Sequence, residues 1–191
     1  MCTHSHFDHY NSEILSWGSN RDDIHYILAA EIGEKQGFHA GASYVNKGDE
    51  YQDSYISVKA FGSTDLGVSY YVEVDNYKIF YAGDLNNWHW SDESTAAEVA
   101  EAEAFFHREL ADIAAGVPEL DLAIFPADYK LGTDWFRGAK EFIETIPCKI
   151  FSPMHFYDEF DKIIPFEKAA NNMKIRCIAW RKKGQEEILF N

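Results

Sequence analysis

Chemical potential in this chain is concentrated at its start, where Thr3-His4-Ser5-His6-Phe7-Asp8-His9 forms an H-x-H-x-D-H run. Neutral imidazole nitrogens and carboxylate oxygens are the donors that Zn²⁺ and similar divalent ions take, and a tight loop after a strand can aim several of them at one point. On such a loop His4 and His6 face one side, while Asp8 and His9 reach a second position nearby. Two adjacent metal ions can then be served. The bland alternative is a solvated His-rich terminus. It fits less well, because the run interleaves Phe7 and Asp8 and leads into a helix-like Asn11–Trp17.

Two more segments carry ligand-type residues at the ends of apolar runs. Phe80-Tyr81-Ala82-Gly83-Asp84 ends in a small-residue turn that exposes one carboxylate able to bridge two metals, and Ile150-Phe151-Ser152-Pro153-Met154-His155 ends in an imidazole. Taken alone, Asp84 could simply cap its loop, and a lone histidine is more often structural than functional. Three strand ends offering His and Asp are better explained by one shared site, because ligands in α/β folds gather at strand ends. Cys2, Cys148 and Cys177 have no C-x-x-C spacing, which favours reduced thiols. Cys148 and Cys177 read as buried strand residues. Cys2 would share a face with His4, and strand packing is expected of it, with a metal role as the alternative.

The elements that must position these residues follow from hydrophobic periodicity, which alternates short strands with longer helices. Strands are expected at His25–Ala29, Tyr55–Phe61, Val68–Val74, Lys78–Ala82, Leu122–Phe125, Lys149–Ser152, Lys174–Trp180 and Glu187–Phe190. The polar Asp75-Asn76-Tyr77 connection predicts an antiparallel hairpin. One helix should run from about Asp92 to Ala115, entered through a capping box at Thr95-Ala96-Ala97-Glu98 and closed by Gly116. A second, Thr133–Ile146, stops before Pro147, and a third, Pro165–Asn172, is short. The fold class is α/β, with helices covering outer sheet faces.

Composition bounds the rest. At 191 residues, 46% hydrophobic and 16% aromatic, the chain can build a sizeable core, and residues 1–191 read as a single domain. No apolar run is long enough to span a bilayer. A formal charge of −15 repels a phosphate backbone, so nucleic acid is not an expected partner. Met1-Cys2-Thr3-His4 lacks a basic and apolar leader, which makes the cytoplasm the expected location.

The H-x-H-x-D-H run, the Gly83-Asp84 turn and the Pro153-Met154-His155 end together resemble the metallo-β-lactamase-fold hydrolases. Gly62-Ser63-Thr64-Asp65-Leu66-Gly67-Val68-Ser69 and the segment from Gly83 to Trp90 look like the subgroup related to L-ascorbate-6-phosphate lactonase. The resemblance implies an αββα four-layer sandwich. It implies that His4 and His6 hold a first metal, that Asp8, His9 and His155 hold a second, and that Asp84 bridges them. One or two divalent ions are expected, zinc first and manganese as the alternative. A metal-bound hydroxide would then attack a small ester, lactone or phosphate-containing substrate, with Asp8 and Asp84 in catalytic positions. A phosphodiesterase or nuclease is the weaker enzyme alternative.

Two departures bear on this reading. Ser63 stands where relatives carry a third histidine for the first metal, so Asp65 or a water would have to complete that site, and a harder ion such as Mn²⁺ gains ground. His39 and His89 are further substitutes, His89 being favoured as a pocket-wall residue beside Trp88 that contacts substrate or a carboxylate. Relatives also carry strands before the ligand loop, so the fold is expected in an N-terminally truncated form, with a homo-oligomer as one way to cover the sheet edge. A truncated or degenerate relative that binds metal without catalysis is the non-enzymatic alternative. Ser63, Asp65, His89 and Trp88 are the candidate further contacts to metal or substrate. Aromatic residues including Trp88 and Trp90 read first as core, with the lining of a substrate pocket as the alternative, and Lys130 could contact a substrate anion although nothing in its spacing requires it.

Overall fold

A two-residue turn sets the direction of the main sheet. In the computed structural model, which describes residues 1–190, Asp75 and Asn76 adopt left-handed φ values of 50° and 67°. Asn and Asp tolerate that region, and two such residues make the type I′ turn whose twist suits a hairpin. The turn joins β5 (Ser69–Val74) to β6 (Tyr77–Tyr81). Tyr77 pairs with Val74, so the connection is one residue shorter than the polar tripeptide suggests.

Before this hairpin lie β1 (Tyr26–Ala29), α1 (Ala30–Gln36), β2 (Ala42–Val45), β3 (Glu50–Gln52) and β4 (Ile56–Phe61). After it come α2 (Ala96–Gly116), β7 (Leu120–Pro126), α3 (Arg137–Thr145), β8 (Cys148–Met154), α4 (Ile164–Asn172) and β9 (Arg176–Cys177). β1 and β2 form a small parallel sheet. The other seven strands form one mixed sheet in sequence order, antiparallel from β3 to β6 and parallel from β6 to β9. The change comes where helices enter the connections, because a parallel neighbour needs a crossover that a tight turn cannot supply.

Alternation along the strands splits the core in two. Val58, Tyr70 and Val72 face the small sheet, where Leu28, Ile32 and Val45 pack. Phe80, Phe125 and Phe151 point the other way, under Phe106, Leu110 and Ile113 of α2 and Ala139, Phe142 and Ile143 of α3. These are the helix, sheet, sheet and helix layers of an αββα sandwich.

α2 begins at the expected capping box: Thr95 Oγ1 accepts from the Glu98 N–H, and Glu98 Oε2 accepts from the Thr95 N–H. Asp92 lies before the helix because its carboxylate accepts from the Thr133 N–H at 2.7 Å. α3 starts four residues later than periodicity predicts, after Asp134 takes a left-handed φ of 57°. Of the expected strand Lys174–Trp180 only Arg176–Cys177 pairs, and Glu187–Phe190 forms no strand. That segment packs through side chains instead, with Phe190 stacked on Tyr77. β3 is too short and polar to announce itself, and β2 has mostly half-buried residues and no clear alternation.

The feature that matters most for the site is a strap formed by Cys2 and Thr3. The Cys2 N–H donates to Ile27 O and the Ala29 N–H to Cys2 O, while the Val68 N–H donates to Thr3 O and the Tyr70 hydroxyl to Cys2 O. The strap thus ties the small sheet to the start of β5. Cys2 packs in the small-sheet core and belongs to neither group of metal-capable donors, and burial pushes its thiol up. Two glycines make room for the strap. A Cβ on Gly67 (φ +69°) would stand 1.9 Å from Thr3 O, and one on Gly83 (φ +56°) 2.7 Å from the Thr3 side chain.

Gly67→Ala and Gly83→Ala should each cost about 2 kcal/mol or more, from left-handed strain plus collision. Melting should fall by about 4–8 °C. Gly48→Ala, at φ +93° in open space, bears the conformational part alone and serves as the control. Equal melting temperatures for all three variants would remove the strap as the reason for these glycines.

Candidate metal centre

Four imidazoles converge on the carboxylate of Asp84. His4 Nε2 and His6 Nδ1 lie 3.1 and 3.7 Å from its Oδ2, and His9 Nε2 and His155 Nε2 lie 3.0 and 3.7 Å from its Oδ1. Asp8 Oδ2 stands 3.8 Å from His9 Nε2. The donors fall into two groups within ligand-to-ligand reach, His4 with His6 and Asp84, and Asp8 with His9 and His155. Atoms that share one ion at about 2.0–2.2 Å stand roughly 3–4 Å apart, which is the spacing found here.

Local structure explains how each donor arrives. His4 follows the strap and is fully buried, and its Nδ1 sits 3.0 Å from Thr3 Oγ1, which leaves Nε2 for the centre. The chain then turns tightly, the N–H groups of His9 and Tyr10 both donating to His6 O. Glu31 of α1 clamps the turn by accepting from the Ser5 N–H and hydroxyl at 2.5 and 2.9 Å. Asp84 comes directly after Gly83, just beyond β6. His155 follows β8 with a left-handed φ of 63°, an unfavourable conformation for an imidazole-bearing residue that its surroundings must enforce.

Burial and charge support a cation here. Desolvation pushes the Asp84 carboxyl up, but the adjoining His4 and His9 imidazoles outweigh it and hold the group well below the usual carboxylate range. Burial pushes the His155 imidazole down, and the Asp128 hydrogen bond together with the Asp84, Asp128 and Asp8 carboxylates carries it above its ordinary value. His4 Nε2 and Asp84 Oδ1 are buried without an aligned hydrogen-bond partner, although each has an opposite group within about 3 Å. Close approach without alignment leaves two buried polar atoms, one in each half of the centre, that a cation in each half would satisfy. The donor set fits a pair of divalent ions.

Asp128 is the residue of this candidate site that sequence reasoning missed. It lies just past β7, is almost fully buried, and its Oδ2 accepts from His155 Nδ1 at 2.9 Å. That bond fixes the ring and leaves Nε2 for the centre. The strand-end rule that found Asp84 and His155 points equally to Phe125-Pro126-Ala127-Asp128.

The remaining candidates divide. Trp88 lines the centre, donates from Nε1 to Asp84 O at 2.8 Å, and meets His155 edge to face. Asp65 lines the same cavity, with Oδ2 3.6 Å from His6 Nδ1. Ser63 is buried off the cavity, and its hydroxyl accepts from the Asp65 N–H. The expectation for His89 is corrected: it is buried, its Nδ1 accepts from the Ser91 N–H and its Nε2 faces Asp134 O, so the ring is spent on loop structure. His39 accepts from the Gly41 N–H, away from the centre.

Two cavities of about 600 Å³ each flank the centre and share Asp8, His155 and Tyr157. One is walled by Trp88, Trp90 and Lys130, the other by Phe156, Phe160 and Trp180 with Lys182 and Lys183 at its rim. Lys130 Nζ sits 3.5 Å over the Tyr157 ring.

Among solved structures, the chain is similar to a protein described as a metal-dependent hydrolase from Parabacteroides distasonis, at TM-score 0.65 and 16% identity, covering 93% of this chain and 73% of that one. It is equally similar in shape to CmlA, a diiron β-hydroxylase from Streptomyces venezuelae, at TM-score 0.65 and 13% identity, covering 94% of this chain and 43% of that one. The metallo-β-lactamase fold protein YhfI from Bacillus subtilis aligns at TM-score 0.59 and 9% identity, over 94% and 73% of the two chains. No family model and no curated protein sequence matches the chain. The likenesses establish the metallo-β-lactamase fold. No helix among the described residues is long and apolar enough to cross a membrane.

Metal-stripped protein titrated with Zn²⁺ or Mn²⁺ should take up two ions per chain, and His155→Ala should take up one. Asp128→Asn should weaken the second ion about 10–100-fold in competition with a chromophoric chelator. An unchanged affinity would remove its orienting role.

Proposed function

We propose that this protein is a metal-dependent hydrolase of a small ester, lactone or phosphate-containing substrate. The observation that carries this reading is the Asp84 carboxylate, each of whose oxygens faces two imidazoles. Its fold neighbours, described as a metal-dependent hydrolase and a diiron β-hydroxylase, agree with a metal-loaded centre. A bound pair of divalent ions supplies Lewis acidity at a carbonyl or phosphoryl oxygen and acidifies water.

The protein's own groups do the rest. Asp84 holds the two halves of the centre in register, and Asp128 keeps the His155 ring in place through Nδ1. Asp8, about one third exposed, faces both cavities and can accept a proton from attacking water at its carboxylate. Trp88 and Trp90 offer flat apolar walls. Lys130 has no carboxylate partner among the described residues, and its ammonium is available to a substrate anion. A −15 chain can hold such a substrate because two divalent ions reverse the local field.

Metal-loaded protein should turn over at least one member of a panel of lactones, aryl esters and phosphodiesters. Asp84→Asn should lower kcat/KM at least about 100-fold. Lys130→Met should raise KM about tenfold for anionic substrates and leave neutral ones unaffected. Two bound ions with no turnover on the panel would favour a metal-binding module instead, and full turnover by Asp84→Asn would sink the proposal.

A further inference from the structure

The two halves of the centre are unequal if only the H-x-H-x-D-H run, Asp84 and His155 are counted. The half around His9 and His155 has its own carboxylate, Asp8. The half around His4 and His6 has only the shared Asp84 oxygen, and Ser63, at the position of the missing imidazole, uses its hydroxyl on the Asp65 N–H. Asp65 is in a different situation. It lines the cavity with Asp84 and His6, its Oδ2 lies 3.6 Å from His6 Nδ1, and its carboxylate has no Lys or Arg partner among the described residues. That separation matches the other donor pairs around Asp84, but the carboxylate stands outside the group of donors within 4.8 Å of one another that His4, His6 and Asp84 form, so a turn of this half-exposed side chain toward the ion completes the set. The unpartnered His4 Nε2 of the same half is fully buried.

The geometry points to Asp65 as the terminal ligand of the first ion, making the halves chemically equivalent and shifting the centre toward iron(II) or manganese(II). This inference rests on the metal-dependent reading above. Each half then offers two imidazoles, one terminal carboxylate and one oxygen of Asp84. Zinc takes three imidazoles or two imidazoles and a carboxylate, whereas iron(II) is typically held by two imidazoles and a carboxylate and manganese favours carboxylate oxygens, so exchanging an imidazole for Asp65 moves the relative preference toward the latter two. The three carboxylates Asp8, Asp65 and Asp84 against two divalent ions leave the centre with a small net positive charge. Zinc still binds more tightly in absolute affinity, as the divalent series dictates. What Asp65 changes is the ratio between ions. Ser63 supports this arrangement by holding the Asp65 backbone, so the serine and the aspartate are two parts of one substitution.

The test measures metal binding and needs no substrate. Wild type, Asp65→Ala, Asp65→Glu and Asp65→His are stripped and titrated with Mn²⁺ or Zn²⁺ under chelator competition, with circular dichroism as the folding check; Asp65 is half-exposed, which favours folded variants. Wild type should bind two Mn²⁺ and give the electron paramagnetic resonance signal of a spin-coupled pair. Asp65→Ala should keep one Mn²⁺ and give an isolated-ion signal, and Asp65→Glu should restore the pair. Asp65→His should raise the Zn²⁺-to-Mn²⁺ affinity ratio about tenfold or more. Two Mn²⁺ bound by Asp65→Ala with unchanged affinity, or an unchanged ratio in Asp65→His, would overturn the inference. If His155→Ala still loses one ion in that case, the metal-dependent reading stands without it; if wild type binds no ion, both fall.

Discussion

Everything in this molecule that bears on chemistry is organised around one buried carboxylate with too many neighbours. Asp84 sits among four imidazoles, and two polar atoms at that junction have no aligned partner. Burying such atoms costs free energy unless something satisfies them, and hydrogen bonds among the donors cannot satisfy all of them at once. Divalent cations among these donors would resolve the conflict. The apparent frustration is then a property of the protein alone.

Holding that arrangement requires rigidity from several directions, and the fold supplies it through close approaches. The Cys2–Thr3 strap is fixed by four hydrogen bonds to β1, β5 and their flanks, and it passes over two glycines too tightly for any side chain. Glu31 pins the ligand turn from α1. Asp128 orients His155 from the neighbouring strand end, and the parallel pairing of β7 with β8 puts the two residues side by side. Each support comes from a different element, so the precision of the site is a property of the whole sandwich.

The resemblance implied a gap in the donor set at Ser63; that residue is buried off the cavity, and the residue two places on lines it. Sequence reasoning saw the gap and named Asp65 among the replacements, but it also named His89, whose ring turns out to be consumed by its own loop. Side-chain direction decides between such candidates, and residue type does not.

Much of the fold was legible in the chain itself. The alternation of β4 to β8, the capping box of α2 and the hairpin at Asp75-Asn76 are local physics, set by period, propensity and turn chemistry. So was the ligand run at His4 to His9, because four donors within six residues need no fold to be noticed. β2 and β3 were not legible, since short half-buried or polar strands exist only because a neighbour offers hydrogen bonds. Asp128 lay within reach of the strand-end rule that assigned Asp84 and His155 to the N-terminal run, but its bond to the His155 ring is a tertiary contact with no mark in the sequence. Those residues meet across separate strand ends, and only tertiary packing brings them within a few ångströms. Donor chemistry was therefore determined by the sequence, while convergence, orientation and the placement of Asp65 and His89 were decided by the three-dimensional structure, because only packing fixes where a side chain points.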